Sequence, residues 1–133
     1  MSDTRLTLRV DFGSSRSVGP GKIRLLEAIE RTGSISQAGR TLGMSYRRAW
    51  LLIDDMNRCF RHAVVSARPG GSQGGGAVLT EFGAELVADY RAIETAAAVA
   101  AKKRLRGLEA ALRKSKASNS GEPKKTSIRA RKR

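Results

Sequence analysis

The sequence predicts a mostly α-helical fold with one small β-hairpin. Apolar residues recur at three- and four-residue steps in three stretches before residue 60 and in one long stretch after residue 80. This spacing is typical of amphipathic helices. Two short β-prone runs between them flank a glycine-rich segment, which is the pattern of a hairpin.

The N-terminal region predicts one strand, one loop and the first helix. Four apolar residues alternate with polar ones, as in a half-buried strand: Leu6, Leu8, Val10 and Phe12. A loop rich in glycine and serine follows from Gly13 to Gly19, and Pro20 is suited to begin a helix. Helix one is predicted from Lys22 to Arg31. Its apolar stripe consists of Ile23, Leu25, Leu26, Ala28 and Ile29.

A helix, a sharp turn and a second helix are predicted next. Helix two extends from about Ser36 to Leu42, and helix three from about Ser45 to Phe60. Each begins at a serine, whose hydroxyl oxygen can accept hydrogen bonds from backbone N–H groups that have no partner within the helix. Gly43 tolerates the backbone conformation that ends helix two.

Helix three has two different faces. Its apolar side is formed by Ala49, Ile53, Met56 and Phe60, whereas Ser45, Arg47 and Arg48 lie on the other side. A short helix that buries one face and offers arginines on the other fits the major groove of DNA. The alternative is that these elements serve packing alone and that the arginines form a solvated surface.

Two short strands, Ala63–Arg68 and Ala77–Thr80, flank a loop with five glycines in eight residues, Pro69–Gly76. The predicted order of elements is three helices, a hairpin and a further helix. This is the order of a winged helix-turn-helix, in which the hairpin is the wing. The loop lacks the Gly-Lys-Ser/Thr ending of a phosphate-binding loop, which disfavours a nucleotide-binding enzyme. His62 and Cys59 have no partners at metal-ligand or catalytic spacing, so we predict neither a metal, a cofactor nor an enzyme.

Thr80 is predicted to cap a long helix over residues 81–113. This helix either covers its own domain or pairs with the same helix of a second copy. Its length exceeds what one small domain can cover and its alanine run permits close approach of a second helix, which favours the second alternative. We therefore predict a homodimer. The expected interface residues are Leu86, Tyr90, Ile93, Ala97 and Ala100.

The positive charge is concentrated at the C-terminal end. Residues 1–101 contain 13 Lys and Arg against 10 Asp and Glu, whereas residues 102–133 contain 13 against 2. We expect a DNA-binding domain at 1–80, the dimerisation helix at 81–113 and a disordered basic tail at 114–133. No apolar run approaches the ~20 residues that span a bilayer, and no secretory signal is evident. These features predict a cytoplasmic protein with no membrane partner.

Several segments together resemble the N-terminal domain of ModE-type molybdate-responsive regulators, which is similar in turn to the DNA-binding domains of LysR-type regulators. They are Gly33–Gln37, Ser45–Trp50, Met56-Asn57 and Gly74–Thr80, and the similarity extends from about Pro20 to Ile93. Full-length ModE-type proteins continue into molybdate-binding β-domains, whereas this sequence continues into a basic tail. We therefore expect DNA binding without molybdate sensing.

The resemblance implies that Ser45–Trp50 enters the groove of double-stranded DNA. Arg47 and Arg48 can hydrogen-bond guanine edges or bind phosphates, and Trp50 is either core or a DNA contact. The full predicted DNA-binding set is Ser36, Gln37, Ser45, Tyr46, Arg47, Arg48, Trp50, Arg68, Ser72 and Gln73. The predicted function is sequence-specific transcriptional regulation by a homodimer. The alternative is a non-specific nucleoid or RNA-binding protein that depends on the basic tail.

Overall fold

The computed structural model describes residues 3–71 and 74–114. Its contacts divide the chain into two units, Met1–Ala101 and a second that begins at Lys102. The order of elements confirms the predicted mostly α-helical class with a small hairpin and a long last helix. The elements are β1 (Val10–Asp11), β2 (Ser17–Val18), α1 (Pro20–Thr32), α2 (Ile35–Thr41), α3 (Tyr46–Cys59), β3 (Val65–Gly71), β4 (Gly74–Leu79) and α4 (Glu81–Ala110).

The N-terminal strand is shorter than predicted. β1 pairs antiparallel with β2, with Val10 opposite Val18, so part of the predicted Gly13–Gly19 loop is itself a strand. The chain reverses between them in a turn in which the Phe12 N–H donates to the Arg16 carbonyl at 2.7 Å. Pairing ends at Val10–Asp11 because β2 provides two residues.

The hydrophobic core of the first unit lies between the helices and the base of the hairpin. The predicted apolar stripe of α1 is fully buried, which confirms its assignment. Proline at the start of α1 extends the helix beyond the predicted Lys22. The buried apolar residues are Val18, Ile23, Leu25, Leu26, Ala28, Ile29, Ala38, Ala49, Ile53, Met56, Val64, Val65, Ala77 and Tyr90.

The predicted hairpin is present as β3 and β4, which pair antiparallel. The register places Val65 opposite Leu79 and Arg68 opposite Gly76, with an irregularity before Gly71. Both strands extend further into the glycine-rich segment than predicted. Ser72 and Gln73, two of the predicted DNA contacts, lie outside the described residues.

Thr80 caps α4 as predicted, because its Oγ1 accepts the Gly83 N–H at 2.9 Å and donates to the Ala63 carbonyl at 2.6 Å. Tyr90, predicted at the dimer interface, instead belongs to the core of its own chain. It is 2% exposed, and its hydroxyl donates to the Leu8 carbonyl at 2.6 Å. Leu86 is half-buried against the same core, whereas Ile93 is 48% exposed.

An ion-pair network joins α1 and α4. The Arg91 Nε and Nη2 groups donate to the two carboxylate oxygens of Glu27 at 2.9 and 2.8 Å, and Nη1 donates to Glu94 at 2.6 Å. The hydrogen bonds from Arg91 hold the pKa of Glu27 below its ordinary value. They also raise the pKa of Arg91, so this guanidinium stays charged.

We expect acid to remove the stabilisation that Glu27 provides. A carboxylate whose folded-state pKa is lowered stabilises the fold above its unfolded pKa, and this contribution is lost as the pH falls through the folded value. Glu27→Gln should lower the free energy of unfolding by about 1 kcal/mol near pH 6. The difference from wild type should decrease progressively as the pH is lowered from 6 towards 2, as measured by urea unfolding across that range. Glu30→Gln on the same helix is the control, and identical wild-type and Glu27→Gln pH profiles would contradict the prediction.

The described residues contain no group of three metal-binding side chains. Cys59 is a half-buried free thiol, and the exposed His62 ring lies 5.7 Å from the Phe82 ring. Among the described helices, none combines the length and apolar character that crossing a bilayer requires.

Candidate nucleic-acid interface

The junction between α2 and α3 is a tight turn. Gly43 adopts a left-handed conformation with φ of 73°, as its predicted position after helix two requires. The Met44 N–H donates to the Gly39 carbonyl at 2.9 Å across this turn. Gly39 is buried where the helices cross, since a Cβ there would lie 3.3 Å from the Cβ of Ala49. The two helices therefore cross at close range with a fixed orientation.

Serine side chains begin both helices, although one differs from the prediction. Ser45 caps α3, because its Oγ accepts the Arg48 N–H at 3.1 Å. The cap of α2 is Ser34, whose Oγ accepts the Gln37 N–H at 3.1 Å, and not the predicted Ser36. Gly33 ends α1 in a left-handed conformation, so the next residue is already the extended cap. Ser36 consequently lies exposed in the first turn of α2.

The outer face of α3 and its cap carry half of the predicted DNA-binding residues. Ala49, Ile53 and Met56 are buried, so the opposite side of the helix must face outward. Tyr46 is 57% exposed and Trp50 45% exposed, which resolves the alternative left open for Trp50 in favour of the surface. The exposed residues of this face are Ser45, Tyr46, Arg47, Arg48, Trp50 and Leu51.

The hairpin base is attached next to this face. The Gly33 carbonyl accepts the Ala77 N–H at 3.0 Å and the Arg68 Nη2 at 3.2 Å. A shallow groove of about 180 Å³ lies between the hairpin and the two helices. Its lining consists of Ser34, Ile35, Ser36, Tyr46, Gly76 and Ala77. The start of α2, the start of α3 and the hairpin base thus form one continuous surface.

This surface has no acidic residue in α2 or in the first two turns of α3, and the first acid of α3, Asp54, forms an ion pair with Arg58. From Thr32 to Ile53 the chain contains no Asp or Glu, whereas Arg40, Arg47 and Arg48 are all exposed. Such a one-sided distribution attracts a polyanion. Arg68 is also exposed, although its hydrogen bond to Gly33 gives it a role in the fold as well.

Three residues outside the predicted set also lie on this surface: Ser34, Arg40 and Leu51. Ser34 is the cap of α2. Arg40 lies in the last turn of α2 and donates a hydrogen bond to Ser36 Oγ at 3.5 Å. Leu51 is 46% exposed beside Arg47. Leu51 could have been predicted from its spacing, because a residue four positions after Arg47 lies next to it on the surface of a helix. The predicted residues Ser36 and Gln37 lie on α2 and Arg68 lies on the hairpin, and Ser36 lines the same groove as Tyr46.

Comparison with known proteins finds related sequences, although no protein-family model matches the chain. The molybdenum transport protein ModE of Azotobacter vinelandii is 47% identical over 90 residues, which is 68% of this chain and 33% of that protein. The molybdenum-pterin-binding protein MopB of Rhodobacter capsulatus is 51% identical over 81 residues, 61% of this chain and 30% of that protein.

A third relative is described as a regulator. The DNA-binding transcriptional dual regulator ModE of Escherichia coli K12 is 45% identical over 71 residues, 53% of this chain and 27% of that protein. The chain therefore spans about a third of the length of these relatives. The predicted resemblance to one domain of ModE-type proteins is confirmed over that segment.

Proposed function

From its kinship with ModE-type proteins over about a third of their length, we infer that the chain is a DNA-binding transcriptional regulator. We propose that it acts as a homodimer in a bacterial cytoplasm and binds specific DNA sequences through α3. The observation that carries this proposal is the outer face of α3, where exposed arginines and aromatic rings stand on a helix whose other face is buried.

The arrangement of α2, α3 and the hairpin supports recognition of a duplex. α3 has the length and exposure to enter a major groove, with its N-terminal residues nearest the base edges. Arg47 and Arg48 project from this end, and an arginine can donate two hydrogen bonds to guanine O6 and N7. The hairpin base lies beside the start of α2, where a wing reaches the flanking backbone.

The long helix supports the proposed homodimer. Ile93, Ala97 and Ala100 follow one side of α4 at helical spacing, and Ile93 and Ala100 are exposed. Burial of this side against a second copy would remove apolar surface from water. After the assignment of Tyr90 to the core, the proposed dimer surface begins at Ile93.

Charge along α4 favours an antiparallel pairing of two copies. The first half of the helix carries the acids Glu81, Glu85, Asp89 and Glu94, with Arg91 as its one basic residue. The second half carries Lys102, Lys103, Arg104 and Arg106, with Glu109 as its one acidic residue. Antiparallel helices would place the acidic half of one copy beside the basic half of the other, whereas parallel helices would juxtapose like charges.

Selection from a random double-stranded DNA library with the purified chain tests the proposed function. Enrichment of a common sequence with twofold symmetry supports a sequence-specific dimer. Light scattering supplies the molar mass, with Ile93→Glu expected to give a monomer and Val99→Glu on another side of α4 to remain dimeric. Uniform retention of all sequences would contradict specific recognition and favour the non-specific alternative.

The basic C-terminal end allows a second test of that alternative. Deleting residues 115–133 removes seven Lys and Arg residues and one Glu. We expect lower affinity for all duplexes and a weaker salt dependence, because fewer phosphates are neutralised. Sequence preference should remain, as measured by fluorescence anisotropy on selected and shuffled duplexes at several salt concentrations. Loss of preference with unchanged affinity would contradict the assignment of specificity to α3.

Molybdate is not part of the proposed function. The names of two relatives connect those proteins to molybdenum, but the matched segment is about a third of their length. On the described residues, the exposed cationic surface of α2 and α3 is the one proposed for DNA phosphates. A tetrahedral oxyanion there would compete weakly with DNA and would not act through a separate site.

A further inference from the structure

A small open pocket lies on the outer face of α3, within the surface proposed for DNA. It has a volume of about 350 Å³ and is lined by Tyr46, Arg47, Trp50 and Leu51. Residues three and four apart are neighbours on a helix surface, so these four side chains form one contiguous patch. The hydrogen bonds to guanine or phosphate proposed for Arg47 do not explain why Tyr46, Trp50 and Leu51 line a pocket with it.

Three of the side chains that line the pocket are largely apolar and are nevertheless exposed to solvent. Tyr46, Trp50 and Leu51 are 57%, 45% and 46% exposed, whereas the other side of the same helix supplies buried core residues. Single exposed apolar residues are ordinary on protein surfaces, but three adjacent ones indicate a binding surface. The occupant should therefore present a small apolar group.

The charge around the pocket restricts the occupant further. Arg47 is part of the lining and Arg48 is exposed next to it along the helix, whereas the first acid of α3, Asp54, forms an ion pair with Arg58. An apolar pocket beside these two arginines suits a polyanion that carries apolar groups. In the major groove of DNA the one such group on an unmodified base is the C5-methyl of thymine.

We propose that this pocket receives a thymine methyl group and so selects thymine at one position of each half-site. The inference rests on the proposed function, since it requires α3 to lie in the groove. Arg47 at the pocket rim is then free to bind the adjacent base or phosphate, while Trp50 and Leu51 supply the apolar contact. Specificity at this position comes from a methyl group and not from a hydrogen bond.

Replacement of thymine by uracil tests the proposal, because it removes the methyl group and leaves base pairing unchanged. The probe is the strongest duplex selected from the random library by the purified full chain, with each thymine replaced in turn by deoxyuridine. One position in each half-site should lose about four-fold in affinity, which corresponds to about 0.8 kcal/mol for one buried methyl group. The other positions should change little.

Variants of the pocket connect that loss to its residues. Trp50→Ala and Leu51→Ala should each bind the thymine and uracil duplexes with nearly equal affinity. Leu108→Ala, at an exposed leucine of α4, should keep the wild-type preference. Thermal unfolding of each variant checks that the fold is retained, and the two pocket variants provide independent tests.

The outcomes separate this proposal from the function on which it rests. If the chain selects a sequence but every uracil replacement is neutral, or if pocket variants keep the thymine preference, the pocket assignment is overturned and sequence-specific binding stands. If no sequence is selected, the proposed function itself fails. If the pocket variants bind DNA as wild type but lose self-association, the patch is an interface between copies, which also overturns the proposal.

Discussion

Arg47→Ala and Arg48→Ala should each weaken binding to the selected DNA sequence by about 1–3 kcal/mol if the arginine contacts a base edge. Both side chains are exposed at the start of α3, where a recognition helix is nearest the bases. Affinity for a shuffled duplex should fall less, since the guanidinium group contributes there through phosphate attraction alone. Fluorescence anisotropy at constant ionic strength on both duplexes measures the difference.

Two further variants sharpen this test. Arg48→Lys retains the charge but loses the planar pair of donors, so a base contact should be lost and a phosphate contact largely kept. Arg24→Ala removes an exposed arginine from α1 and should leave sequence preference intact. Equal losses on selected and shuffled DNA for both Arg47→Ala and Arg48→Ala would reduce these residues to phosphate contacts.

Gly83→Ala should destabilise the fold by about 3 kcal/mol, as expected when added atoms overfill a packed site. Gly83 is buried in the first turn of α4 against the backbone of Val64. A Cβ at this position would overlap the Val64 carbonyl oxygen, and backbone cannot move aside as a flexible side chain does. The start of α4 must then shift away from the hairpin, which breaks the Thr80 cap or opens the core.

Gly107→Ala is the matched control for this substitution. It makes the same change in the same helix, but nothing lies within 4 Å of the position that the Cβ would take. Because alanine favours the helix over glycine, this variant should gain about 0.5–1 kcal/mol. Urea unfolding of both variants compares them, and equal effects would refute the steric role of Gly83.

The sequence predicted the elements whose pattern is local. The apolar stripe of α1 and the two faces of α3 follow from helical periodicity, which the hydrophobic effect imposes directly. The Ser45 cap and the turn at Gly43 were also predictable, since each depends on neighbouring residues. The exposed face of α3 was therefore largely deducible, although Leu51 was overlooked because no charge marked it.

The parts that sequence did not predict depend on contacts between distant residues. In the sequence Tyr90 is one more member of an apolar stripe, whereas in the structure its ring packs in the core and its hydroxyl donates to the carbonyl of Leu8, 82 residues earlier. The choice of Ser34 over Ser36 as cap depends on where Gly33 ends α1. The short β1–β2 pair was also not predicted, because the glycine- and serine-rich composition of Gly13–Gly19 indicates a loop and not the partner strand Ser17–Val18.

The Gly33 carbonyl has a mechanical consequence for the molecule. It receives hydrogen bonds from both Ala77 and Arg68, and a Cβ on Gly76 would lie 2.6 Å from it, so the hairpin base is seated directly on the residue that precedes α2. These contacts at a single carbonyl therefore set the spacing between the hairpin base and the start of α2 when the chain folds.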